Sequence, residues 1–163
     1  MQKILRHTLI ATLAAASLGA WAQSPSRLKV EDAWVRGTVA QQKATGAFMR
    51  LTAERELRLL SARSPVAGVV EIHEMAMEGD VMKMRQIPGL DLAAGRTMEL
   101  KPGGYHVMLM DLKGPLAKDT NVTITLKFKD SKGVVSQQEV KLPVKEMTYG
   151  LGKEGGTGSA HKH

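Results

Sequence analysis

The sequence predicts an all-β fold, a two-sheet antiparallel Greek-key sandwich, and three observations predict it. Apolar and polar residues alternate with a period of two, most clearly in Val122-Thr123-Ile124-Thr125-Leu126-Lys127-Phe128. Turn residues interrupt the chain at short intervals: Ser64-Pro65, Glu78-Gly79-Asp80, Pro88-Gly89, Pro102-Gly103-Gly104, Gly114-Pro115 and Lys132-Gly133. No long stretch carries a helical period. Short strands at this spacing suit two packed sheets.

Taken in order, the candidate strands are 29–36, 44–52, 58–64, 69–75 and 81–87, then 97–100, 105–112, 121–129 and 134–144. Each is bounded by turn residues or by a polar connection such as 40–43. No internal repeat is present, and 163 residues suffice for one domain with its own core.

The two ends read differently from the middle. Lys3 and Arg6 precede an apolar, alanine-rich run over 9–20, and Ala20-Trp21-Ala22 supplies a small-x-small cleavage pattern. Residues 1–22 are therefore expected to be a signal peptide, cut after Ala22, which places the protein in the periplasm. The run is too short to span a bilayer, so the processed chain is not expected to cross a membrane. No cysteine follows it to carry a lipid. Residues 23–149 form the expected domain. Residues 150–163 are Gly-rich, lack an apolar pattern and read as a flexible tail ending in His161-Lys162-His163.

Composition narrows the function. The net charge of +7 falls to +5 once Lys3 and Arg6 leave with the signal. No dense basic patch with interleaved aromatics exists, so nucleic-acid binding is set aside. The chain has no cysteine but ten methionines, nine of them after the signal. In an oxidising compartment free thiols tend to pair as disulfides, and thioethers are the safer soft ligands. No nucleophile motif, carboxylate pair or phosphate loop marks an enzyme.

Two segments carry the chemistry. One is Glu71-Ile72-His73-Glu74-Met75-Ala76-Met77, followed after a turn by Met82-Lys83-Met84; the other is Tyr105-His106-Val107-Met108-Leu109-Met110. Residues i and i+2 of a strand share a face, so His73, Met75 and Met77 point one way, as do His106, Met108 and Met110. A two-residue loop at Glu78-Gly79 would set His73 opposite Met84. A loop at Gly79-Asp80 would set Met75 opposite Met84. Either register keeps His73 and Met84 on one face. Met75, Met77, Met82 and Met110 read equally well as a hydrophobic rim or as spare thioethers, and Met49, Met98 and Met147 as core filler.

Two imidazoles with two thioethers would form a soft, neutral set suited to Cu(I) and poorly suited to Mg or Ca. Zinc takes Cys, His or carboxylate rather than Met, and a blue-copper electron carrier needs a cysteine thiolate. A full shell also leaves no open position for redox catalysis. The competing reading is an adhesion or scaffold sandwich with a Met-rich core.

The sequence closely resembles the periplasmic copper chaperones of the PCuAC type. That family's motif is a His, ten residues, a Met, twenty-one residues and then His-x-Met; here His73, Met84, His106 and Met108 fall at those spacings. Thr45-Gly46-Ala47-Phe48-Met49, Ser64-Pro65-Val66-Ala67 and the stretch from Lys101 to Leu112 also look like the family, and the resemblance covers about 28–144. It implies a cupredoxin-like sandwich or barrel and Cu(I) ligation by His73, Met84, His106 and Met108. It further implies delivery of copper toward the CuA-type centre of cytochrome c oxidase, with the apo copper subunit or another copper chaperone as partner. A periplasmic copper buffer would need the same site. Some relatives bind a second copper in a His- or Met-rich extension. His161 and His163 would favour Cu(II) there, against the plainer reading of a solvated end.

Overall fold

The computed structural model describes residues 28–150. The expected signal peptide, 1–22, and the expected tail beyond Gly150, with His161 and His163, lie outside them. Ten strands cover the described residues: β1 (Leu28–Arg36), β2 (Ala44–Ala53), β3 (Leu57–Arg63), β4 (Ala67–Glu78), β5 (Val81–Gln86), β6 (Leu90–Leu92), β7 (Thr97–Leu100), β8 (His106–Leu112), β9 (Asn121–Asp130) and β10 (Val135–Lys145). The nine anticipated strands are present, β4 running further at both ends. β6 was not anticipated, because three residues are too few to show an alternation.

The strands pair in the order β5-β4-β8-β2-β1-β10-β9-β3-β6, with β7 also on β2. One half of this path, β5 to β1, and the other, β10 to β6, enclose a single apolar cluster. Met49, Leu51, Val107 and Leu109 come from the first half, and Leu59, Ile124, Leu126 and Leu142 from the second. On β9 the alternation read from the sequence buries Val122, Ile124, Leu126 and Phe128. Each side chain of this size contributes roughly 1.5–3 kcal/mol on full burial.

The halves join where β1 runs parallel to β10, with Val35 opposite Val144. This departs from the all-antiparallel expectation. Two strands at opposite ends of the sequence need no hairpin between them, so nothing forces them antiparallel. Met49 is buried and Met98 packs against the core, as filler should. Met147 is not filler: it is 43% exposed, in the turn that follows β10.

Candidate metal centre

The site lies on the outer face of the first half. Val107 and Leu109 of β8 and Ile72 of β4 point into the core, so strand parity sends His106, Met108 and His73 to the opposite face. β4 and β8 pair directly there, with His73 opposite His106 and Glu71 opposite Met108. The imidazole rings stand edge to face with centroids 5.7 Å apart.

The β4–β5 hairpin brings the third predicted residue. Its loop is Gly79-Asp80, flanked by the Glu78–Val81 pair. Gly79 has φ of 62° and Asp80 is not left-handed, the pattern of a type II′ turn with Gly first. This settles the register: Met75 faces Met84 and Met77 faces Met82. Met84 then reaches back over the sheet and sets its Sδ 3.1 Å from Nε2 of His106.

Hydrogen bonds fix both rings. Nδ1–H of His106 donates to the carbonyl of Gly104 at 3.0 Å, which leaves a lone pair on Nε2 directed at the Met84 sulfur. Nε2–H of His73 donates to Oε2 of Glu71 at 2.7 Å, and Nδ1 of His73 is buried with no protein partner. Such orphaned buried atoms are uncommon and call for an explanation. Burial holds His106 below the ordinary imidazole value. The Gly104 bond opposes that shift, while His73 and Arg36 reinforce it. The neutral, ligating form of the ring is therefore favoured.

An aromatic wall closes one side. Phe48 stands 6.3 Å from His106 and 4.5 Å from Trp34, and Tyr149 packs edge-on against Trp34 at 4.8 Å. A bulge in β1 between Glu31 and Trp34, with Asp32 at φ of 50°, turns Trp34 to this face. Gly46 lies opposite Met108, and a Cβ there would come within 2.7 Å of the Phe48 ring. Arg36 lies over Phe48 at 5.3 Å.

All four predicted residues thus lie on one face. His73 and His106 are buried, Met108 is half-buried and Met84 is 47% exposed. Among the described residues no three His, Asp or Glu side chains cluster as a metal site, so the imidazoles form a ligand set only together with thioethers. Sequence reasoning assigned no role to Glu71 or Gly104. Each lies two residues before its histidine, a spacing that strand parity makes readable for Glu71.

The fold is all-β and cupredoxin-like, that of the PCuAC domains. It matches the apo PCuAC domain from PmoF1 with a TM-score of 0.59 at 21% identity, over 74% of this chain and 94% of that one. The chain belongs to the family described as "Putative lipoprotein LpqE-like", which matches residues 28–144. It is also 30% identical to "Putative lipoprotein Lxx21020" of Leifsonia xyli, over 90% of this chain and 92% of the relative. The solution structure of apo-DR1885 from Deinococcus radiodurans matches with a TM-score of 0.56 and 31% identity, over 90% of this chain and 96% of that one. The CuI form of DR1885 matches with a TM-score of 0.58 at the same identity, over 80% and 85%.

Proposed function

We propose that this protein is an exported Cu(I) carrier, not an enzyme, that holds one ion with His73, Met84, His106 and Met108. The observation that carries the reading is the convergence of the Met84 sulfur and the unprotonated Nε2 of His106 at 3.1 Å. Around a tetrahedral ion with bonds of about 2.0 and 2.3 Å, such a pair would sit roughly 3.5 Å apart. Capture therefore needs only a small opening. The unpartnered Nδ1 of His73 is the second nitrogen donor, and Met108, two residues from His106 on the same face, completes the set. Similarity to a protein with a Cu(I) form supports the metal, and the apolar signal segment together with relatives named as lipoproteins supports export.

Thioether and imidazole ligands leave the site neutral, and a cysteine-containing acceptor would bind Cu(I) more tightly. Copper would then pass downhill to a thiolate site such as the CuA centre of cytochrome c oxidase. The primary test is anaerobic titration of the mature protein with Cu(I), with Zn(II) in competition. One equivalent of Cu(I) held against excess zinc is expected, and equal retention of both metals would refute the reading. Incubating the loaded protein with an apo oxidase copper subunit separates carrier from buffer, because a carrier hands its copper over faster than free dissociation allows and a buffer does not.

A further inference from the structure

Beyond Ile72, the last β4 residue in the core, the β4–β5 hairpin overhangs the sandwich and its two faces differ. One face carries Glu74 paired with Arg85 and Glu78 paired with Lys83. The other carries Met75 opposite Met84 and Met77 opposite Met82. β5 is the edge strand and is exposed along its whole length; Met77 is 59% exposed and Met82 47%. Met75 is half-buried, but packing does not explain Met77, Met82 and Met84, which bury so little. Strand propensity does not either, since exposed strand positions favour Val, Ile, Thr or aromatic residues over methionine. What the four residues share is a soft, uncharged sulfur on a side chain with three rotatable bonds.

We propose that these two methionine pairs form a thioether ladder, a second and weaker soft-metal site through which Cu(I) passes between a donor or acceptor and the imidazoles. The proposal rests on the His73–His106 reading above and extends it. Cross-strand partners place their Cβ atoms about 4.5–5.5 Å apart, close enough for both sulfurs of a pair to hold one ion. Successive rungs lie about 7 Å apart along the strand, a step that flexible side chains span. The outer rung is Met77–Met82 and the inner is Met75–Met84. Met84 belongs to both ladder and imidazole site, because its sulfur already stands 3.1 Å from His106 Nε2. At each step one Cu–S or Cu–N bond forms as another breaks. The ion stays Cu(I) throughout, and no proton or electron need move. The ionic face opposite keeps the hairpin soluble and guards the open edge against pairing with another strand.

The test uses the mature protein with 13C-labelled methionine methyl groups, titrated with Ag(I), a soft monovalent ion that does not change oxidation state under these conditions. The first equivalent should shift the Met84 and Met108 methyls, and the second those of Met77 and Met82. In parallel, stopped-flow transfer of Cu(I) to a chromogenic chelator compares the parent with the double variant Met77→Leu, Met82→Leu. The variant should hold its first Cu(I) as tightly as the parent but release it several-fold more slowly. Methyls of Met77 and Met82 that stay unmoved by a second equivalent overturn the ladder, and so does transfer at the parental rate. A first equivalent that moves neither Met84 nor Met108 identifies a different failure: the imidazole site itself is wrong, and the ladder falls with it.

Discussion

Replacing Met84 by leucine separates binding from folding. Full burial of a methionine is worth about 1.5–3 kcal/mol, but Met84 is 47% exposed and leucine restores most of its apolar volume. The swap should therefore change stability by no more than about 0.5 kcal/mol. The cost to copper is larger, because the sulfur 3.1 Å from His106 Nε2 disappears and leucine offers no donor in its place. Losing a group that merely orients a ligand costs about 10- to 100-fold in metal affinity, so losing the ligand itself should cost at least that, or about 1.4–2.8 kcal/mol. The assay is anaerobic competition for Cu(I) against a chromogenic chelator at neutral pH, with thermal unfolding followed by circular dichroism. Met98→Leu, changed in a β7 residue that lies opposite Leu51 and packs against the core, is the control and should bind like the parent. If Met84→Leu binds like the parent too, the methionine is filler and the assignment fails.

Other perturbations probe the remaining parts. Burial first, then His73 and Arg36, hold His106 below the ordinary value despite the Gly104 bond. Between that lowered value and ~6.5 the unfolded chain binds more protons than the folded one. The contribution of His106 to stability is thus complete above ~6.5 and declines as pH falls through that window, which unfolding titrations against pH would detect. Cu(I) affinity should be level at neutral pH and fall on acidification with a limiting slope of about two protons per ion; an affinity flat across that range would rule out histidine ligands. Glu71→Ala removes the acceptor that fixes the His73 tautomer and should weaken Cu(I) by about 10- to 100-fold. Imidazole 15N shifts that still report Nδ1 as the unprotonated nitrogen, with affinity unchanged, would show that Glu71 does not orient the ring. Gly46→Ala drives a methyl against Phe48 and should cost about 1–3 kcal/mol in a denaturant melt; an unchanged midpoint would mean that the wall is loosely packed.

The site was legible where strand parity alone decides. His73, Met75 and Met77 share a face whatever the loop, and so do His106 and Met108, because the period of two is local. The loop position left two registers open, and the left-handed Gly79 selects one. Features that depend on distant pairings could not be read. Trp34 reaches the outer face only through the bulge at Asp32, and a regular strand would have pointed it inward. The parallel contact of β1 with β10 leaves no local signature, and β6 is defined by its pairing with β3 rather than by its own three residues. Met147 looked like its buried relatives because a flexible thioether side chain is tolerated in a core and on a surface alike.

The parallel contact between β1 and β10 also bears on when the wall beside the site can form. Val35 meets Val144, so forming that contact closes a loop of about 110 residues, at an entropic cost of roughly 4 kcal/mol before any further constant. Contacts of such high sequence separation put the domain among slow-folding topologies. Trp34, and through it the wall beside His106, is held in place by the strand that makes this closure. The four proposed donors sit on three different strands, and in an unfolded chain they would be separate, weak ligands. On the proposed reading, tight retention would belong to the paired strands β5-β4-β8 and not to any one peptide within them, and opening the β1–β10 seam would act on the ion through the loosened wall beside His106.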